Sequence, residues 1–187
     1  MGRIGIYFGT DTGRTRRIAK LIAKKLGDRA DAPVNVGRCA PADLLKHRAL
    51  ILGSPTYGDG ELPGRATGLH ADSWAEFLPG LRALDLRGVT AAIFGLGEQE
   101  KYPGHFVDGI AAIHDAVTAA GATVVGATSP EGYRFTRSAA LRDGRLLGLA
   151  LDPVSQDAQT EARVDAWLAA VAPRLLDASE GRTPDGR

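Results

Sequence analysis

Short apolar runs rich in β-branched residues alternate along this chain with longer stretches of helical spacing, and no other feature limits its fold as strongly. Arg3 to Phe8 reads as a buried strand that stops at Gly9. From Thr15 to Leu26 the spacing turns helical, with Ile18, Leu21, Ile22 and Leu26 on one face and Gly27 as the stop. A weak second strand surrounds Val34 and Val36, and a short helical piece follows near Ala42 to Lys46. Ala49 to Gly53 and Val89 to Phe94 are two further buried strands, separated by a short helix from Ser73 to Leu78. Phe106 to Ala120 places Phe106, Ile110, Ile113 and Val117 on one helical face, and Gly121 closes it. Thr123 to Gly126 begins a fifth strand, and a last helix from about Glu161 to Leu176 turns Val164, Trp167, Leu168, Val171 and Leu175 inward.

Strands that alternate with helices imply βαβ units and a parallel sheet. Right-handed crossovers with helices on both faces then give a doubly wound, three-layer α/β sandwich. The 187 residues suit one domain, expected over residues 1–176, with a polar C-terminal tail over 177–187. Two stretches stand outside the alternation: the polar loop Pro63 to Asp72, and the segment Ser129 to Arg145 before a second apolar run, Leu146 to Leu151. Segments of that length in a compact domain are usually functional or locally structured.

Composition removes several classes of function. No apolar run approaches the ~20 residues of a membrane helix, and the first residues lack the pattern of a secretory signal. The one cysteine, Cys39, leaves no intrachain disulfide framework and no Cys-based metal site, and His47, His70 and His114 show no ligand spacing. A formal net charge of +1 gives nothing to argue for nucleic acid. The expectation is a cytoplasmic protein with no membrane or nucleic-acid partner.

In an open parallel sheet, ligands bind beyond the carboxyl ends of the strands, so the loops after the first, third and fourth strands belong together. The first, Gly9-Thr10-Asp11-Thr12-Gly13-Arg14-Thr15, runs from strand to helix. Backbone N–H groups at such a helix start, with hydroxyls from Thr10, Thr12 and Thr15, suit a phosphate. A well-capped helix start accounts for the same residues equally well. The loop lacks the ending of a Walker sequence and is no GxGxxG fingerprint. The second, Ser54-Pro55-Thr56-Tyr57-Gly58-Asp59-Gly60-Glu61-Leu62, offers an aromatic ring beside a glycine whose peptide can turn freely. The third, Gly95-Leu96-Gly97-Glu98-Gln99-Glu100-Lys101-Tyr102-Pro103-Gly104-His105, offers Tyr102 and a polar neighbour, Gln99. Singly, the second and third read as ordinary turns. Together, a phosphate cradle and two aromatic loops at one sheet edge describe a site for a phosphorylated flat heterocycle.

At this point the chain resembles the flavodoxin family. Phe8 to Thr15 is similar to the family's phosphate loop, and Gly53 to Glu61 and Phe94 to Gln99 to its two isoalloxazine loops. Glu131-Gly132-Tyr133-Arg134-Phe135 and Leu147-Gly148-Leu149-Ala150-Leu151-Asp152 resemble the insertion that splits the fifth strand in the long-chain branch. The likeness runs from about Arg3 to Leu176. Gly60-Glu61-Leu62-Pro63-Gly64, with extra residues before Ser73-Trp74-Ala75-Glu76-Phe77-Leu78-Pro79, is most like the flavodoxins associated with nitrogen fixation, which donate electrons to the nitrogenase iron protein.

The resemblance implies a five-stranded sheet in the order 2-1-3-4-5, a non-covalent FMN, and a monomer that carries electrons without a substrate of its own. It implies that Thr10, Asp11, Thr12, Gly13, Arg14 and Thr15 hold the phosphate, with the Arg14 head in solvent. Ser54, Pro55, Thr56, Tyr57 and Gly58 would line one side of the isoalloxazine. Leu96, Gly97 and Gln99 would give backbone donors to its pyrimidine end, and Tyr102 would stack on one face, with His105 close by. The peptide after Gly58 would turn over on one-electron uptake. The expected work is low-potential cycling between semiquinone and hydroquinone, fed by a reductase. Nearby acids (Asp59, Glu61, Glu98, Glu100) disfavour a second negative charge on the flavin. One carboxylate ~10 Å away at an effective dielectric of ~20 contributes about 1.7 kcal/mol, or some 70 mV.

The chain also departs from that pattern. The family is usually strongly acidic, whereas this chain is near neutral and its first helix carries Arg14, Arg16, Arg17, Lys20, Lys24 and Lys25, read as a solvated basic face. Tyr57 stands where many members have Trp, and His105 where Asn is frequent. The acidic run after Asp152 is replaced by Pro153-Val154-Ser155-Gln156. Cys39 reads as a small half-buried residue, and Trp74 and Trp167 as packing anchors. Three other readings remain: a general long-chain flavodoxin serving other redox enzymes, a NAD(P)H-dependent quinone or FMN reductase of the same fold, and a flavin-free regulatory module. The Tyr57 and Tyr102 rings argue against the second. The lack of an acidic cluster at the end of the first strand argues against the third.

Overall fold

The computed structural model describes residues 2–10 and 12–181. Asp11 and residues 182–187, which take in most of the expected tail, lie outside the described residues. The strands are β1 (Gly5–Phe8), β2 (Val34–Asn35), β3 (Ala49–Pro55), β4 (Thr90–Leu96), β5 (Thr123–Val125), β6 (Leu141–Arg142), β7 (Arg145–Leu146) and β8 (Leu149–Leu151). The helices are α1 (Arg14–Leu26), α2 (Trp74–Arg82), α3 (Gly109–Ala119) and α4 (Asp157–Ser179).

The main sheet is parallel, in the order β2-β1-β3-β4-β5, as expected. β8 also pairs with β4. β5 takes Thr90 to Ala92 and β8 takes Phe94 to Leu96, so the fifth position is filled by two short strands end to end. Between them, β6 and β7 form a hairpin around Asp143 and Gly144, both at positive φ (49° and 73°). That is the conformation a two-residue hairpin turn requires. The apolar run Leu146 to Leu151 is thereby divided, its first residue in the hairpin and its last three in the sheet.

Two apolar layers enclose the sheet. Ile18, Ile22, Val164, Trp167 and Val171 pack on one face from α1 and α4, and Trp74, Phe77, Ile110 and Ile113 on the other from α2 and α3. Two indoles anchor these layers through backbone carbonyls, Trp74 Nε1 donating to Gly53 O (2.8 Å) and Trp167 Nε1 to Gly126 O (3.0 Å). Cys39 is half-buried, and burial, then the Asp43 charge, pushes its thiol up to about 11, so it is no ready nucleophile. His47 is occupied between the Tyr7 hydroxyl (3.2 Å) and Asp31 (2.9 Å).

Helix boundaries differ from the expectations in instructive ways. α3 starts at Gly109, not at Phe106, because Val107 stands at φ 51° and breaks the helical path. Phe106 is still fully buried, but in a turn ahead of the helix, stacked on Phe135 with ring centroids 5.2 Å apart. α4 is longer at both ends than Glu161 to Leu176. Its first turn is too polar to show a period, and its end reaches Ser179, which is buried. α2 continues past Leu78 through Pro79 to Arg82, and Ala42 to Lys46 lies in a 3-10 turn, Pro41–Lys46. No helix among the described residues is long and apolar enough to cross a membrane.

Candidate functional site

The ends of β1, β3 and β4 bring the three loops to one cleft of about 190 Å³. Thr10, Thr12, Arg14 and Thr15 line it from the first loop, and Pro55, Thr56, Tyr57 and Gly58 from the second. Leu96, Gly97 and Tyr102 come from the third. Glu98, Lys101, Pro153 and Val154 also line it.

The first loop fits an anion. Gly13 caps α1 at φ 87°, no side chain among the described residues caps the helix, and its first turn holds no acidic residue. The positive end of the helix dipole therefore opens onto the cleft, beside the buried Thr15 hydroxyl. Thr10 Oγ1 accepts the Gly13 N–H (3.1 Å) and fixes the turn. The Arg14 side chain is exposed, and its head lies 3.4 Å from Glu98 Oε1, because the third loop faces the helix start across the cleft.

The second loop is a tight turn on β3. Tyr57 and Glu61 form a bridge, with the Tyr57 N–H donating to Glu61 O and the Gly60 and Glu61 N–H groups both donating to Tyr57 O, each at 2.9 Å. Gly58 at the tip is exposed, with φ 40°. Thr56 Oγ1 accepts the Gly109 N–H at 3.0 Å, which ties the loop to the start of α3. Ser54 does not reach the cleft. It is buried, and its hydroxyl donates to Pro55 O.

The third loop carries Tyr102 to the cleft with the Lys101 ammonium 5.1 Å from its ring centroid. Two expected residues of this loop point elsewhere. The Gln99 side chain is buried against residues 131–156: Arg134 N–H donates to its Oε1 (2.5 Å), and its Nε2 donates to Ser155 Oγ (3.3 Å). Its backbone N–H, expected to serve the cofactor, donates to Asp152 Oδ2 at 3.1 Å. His105 does not line the cleft. Its Nδ1 lies 3.1 Å from Asp108 Oδ2, beneath Gly60.

Asp152 has no exposed surface and follows β8, directly before Pro153 and Val154 on the cleft rim. Its Oδ1 accepts the N–H groups of Val154 (3.1 Å) and Ser155 (3.0 Å). Its Oδ2 accepts the Ser155 hydroxyl (2.5 Å) besides Gln99. Burial pulls its pKa up, and these donors outweigh that, so the carboxyl sits below its ordinary 3.8. Asp108 has a similar place under the second loop, accepting the Ala139 N–H at 2.6 Å. Neither carboxylate carries a signal in the sequence, since both gain their surroundings from distant segments.

The basic face of α1 is partly neutralised from α4: Arg17 pairs with Asp157 (2.6 Å), and Lys25 with Glu161 (2.9 Å) and Asp165 (2.7 Å). Arg16, Lys20 and Lys24 face solvent. Among the described residues no group of acidic, His or Cys side chains could hold a metal ion.

Comparison with known proteins gives one consistent family. The family model described as Flavodoxin matches residues 6–167. A flavodoxin of Klebsiella pneumoniae is 49% identical over 176 residues, covering 94% of this chain and all of the relative. A second from the same organism is 39% identical, over 94% of this chain and 96% of the relative. The crystal structure of Fusobacterium nucleatum flavodoxin bound to flavin mononucleotide superposes with a TM-score of 0.84 at 30% identity, covering 93% of this chain and 99% of that one.

Proposed function

From the premise that the chain belongs to the flavodoxin family, and is thus an FMN-binding electron carrier rather than an enzyme, we propose that it is a long-chain member that donates electrons to the nitrogenase iron protein. FMN, when bound, supplies one-electron chemistry at low potential. The protein's share is binding, orientation and the exclusion of water.

In this reading the start of α1, with Thr10, Thr12 and Thr15, holds the phosphate, and Arg14 braces that loop through Glu98. Thr56, Tyr57 and Gly58 flank the ring from one side, and Leu96, Gly97 and Tyr102 from the other. The Gly58 backbone leaves the following peptide free to present either its N–H or its carbonyl. Glu98 at the cleft, and Asp59 and Glu61 on the neighbouring turn, oppose negative charge there. Upstream, a reductase loads the carrier. The carrier works as a cytoplasmic monomer.

The observation that carries the nitrogenase assignment is the loop from Gly60 to Ser73, the segment most like nitrogen-fixation flavodoxins. It is folded against α2: Glu76 accepts the N–H groups of Ser73 and Arg65 (each 2.9 Å), and Arg65 pairs with Asp72. It therefore presents a defined shape next to the cleft. The test is electron transfer from the photoreduced protein to purified nitrogenase iron protein, followed by stopped-flow beside a general long-chain flavodoxin. The proposal expects transfer at least tenfold faster for this protein. Equal rates would overturn it and favour a general carrier.

A further inference from the structure

We infer that Asp152 is a positioning residue for the cofactor, an ionised carboxylate sealed behind the third loop that joins that loop to the Pro153–Val154 rim and sets a fixed negative charge behind the ring. The inference rests on the reading above, in which the ring end of FMN lies against residues 96–98.

The geometry divides the work between the two oxygens. Oδ1 takes the Val154 and Ser155 N–H groups and so shapes the rim. Oδ2 reaches across to the Gln99 N–H and fixes the third loop one residue beyond Glu98. A second tie runs parallel to it, from the Gly97 N–H to Leu151 O at 3.0 Å. Gln99 then extends the join through its side chain to Arg134 and Ser155, so that residues 131–156 and the cleft wall move as one piece. All four donors to Asp152 are neutral N–H or O–H groups. They hold the charge in place without cancelling it, and with no exposed surface it is weakly screened by salt. A group of that kind acts on the second one-electron step, which adds negative charge, more than on the first.

An amide cannot replace it. Asparagine offers one acceptor oxygen, and its NH₂ would face an N–H donor on the other side. Asp152→Asn therefore loosens the join and removes the charge together. Ser155→Ala keeps the charge and removes one donor to Oδ2 along with the link to Gln99.

The experiment titrates apoprotein with FMN and measures both one-electron potentials by spectroelectrochemistry for wild type, D152N and S155A. D152N is expected to bind oxidised FMN about tenfold more weakly. Its second step should become about tenfold more favourable, an upward move of about 59 mV. S155A should lose about threefold in affinity in every redox state and leave the second step in place. A D152N protein whose affinity falls by one common factor in all redox states overturns the electrostatic half, since a merely structural residue does that. Unchanged affinity in D152N or in S155A overturns the positioning half, and S155A decides it even where D152N does not fold. Failure of the wild-type apoprotein to bind FMN would instead remove the reading underneath.

Discussion

A Cβ placed on Gly60 would lie 2.6 Å from Asp108 Oδ2 and 3.0 Å from His105 Nδ1. The second loop thus rests directly on the His105–Asp108 pair, and through Asp108 it meets Ala139 in the segment between β5 and β8. Gly60 also stands at φ 93°, where an L-residue pays about 1–2 kcal/mol. Gly60→Ala should therefore displace the turn that carries Tyr57 and Gly58. FMN affinity should fall about tenfold, as read by recovery of flavin fluorescence on titration.

Gly58 is a different case. A Cβ there would meet only Glu61 Oε2, at 3.9 Å, so space is not the constraint. The backbone is, at φ 40°, and alanine should cost about 1 kcal/mol. If the peptide after Gly58 turns with the redox state, G58A should weaken binding of the one-electron-reduced flavin severalfold more than binding of the oxidised form. Equal loss in both would show that the turn is static.

Trp74 has no exposed surface, and its indole N–H meets Gly53 O, which also accepts the Gly9 N–H at 3.0 Å. Trp74→Phe leaves that carbonyl partnered, so the loss is one hydrogen bond plus the space of the smaller ring. Urea unfolding should report about 2 kcal/mol of destabilisation.

Acid sensitivity should trace in part to Asp152. Its folded pKa lies below 3.8 because its donors outweigh the opposing effect of burial. A depressed carboxylate adds stability that is complete above its unfolded pKa and is lost as the pH falls through its folded one. Asp31, lowered chiefly by its hydrogen bond to His47 and with its side chain nearly half exposed, follows the same sign with less weight. Thermal melts of the wild type should thus fall below about pH 4, with a shallower fall in D152N.

Much of this was legible in the sequence. Alternating periods gave the parallel sheet, and glycine and threonine at the strand ends pointed to the three loops that form the cleft. What escaped has common causes. Phe106 matched helical spacing, but Val107 at φ 51° ends the helix path, and backbone strain at a β-branched residue leaves no compositional mark. The resemblance gives Gln99 as a backbone donor to the cofactor, yet its N–H donates to Asp152 Oδ2, and Arg134 and Ser155 use its amide. Asp152 lies 53 residues from Gln99 in the chain, so a pair that shapes the cleft could not be read from local pattern. The early turns of α4 carry Asp157, Gln159 and Glu161 and show little apolar period, although Asp157 is tied to α1.

The most direct test of the account is the visible spectrum of the purified protein during stepwise anaerobic reduction. A yellow protein that passes through a blue, long-wavelength-absorbing one-electron form before bleaching is the predicted result. Direct bleaching in a single two-electron step, or no flavin absorbance after FMN is added, would contradict a one-electron carrier at this cleft.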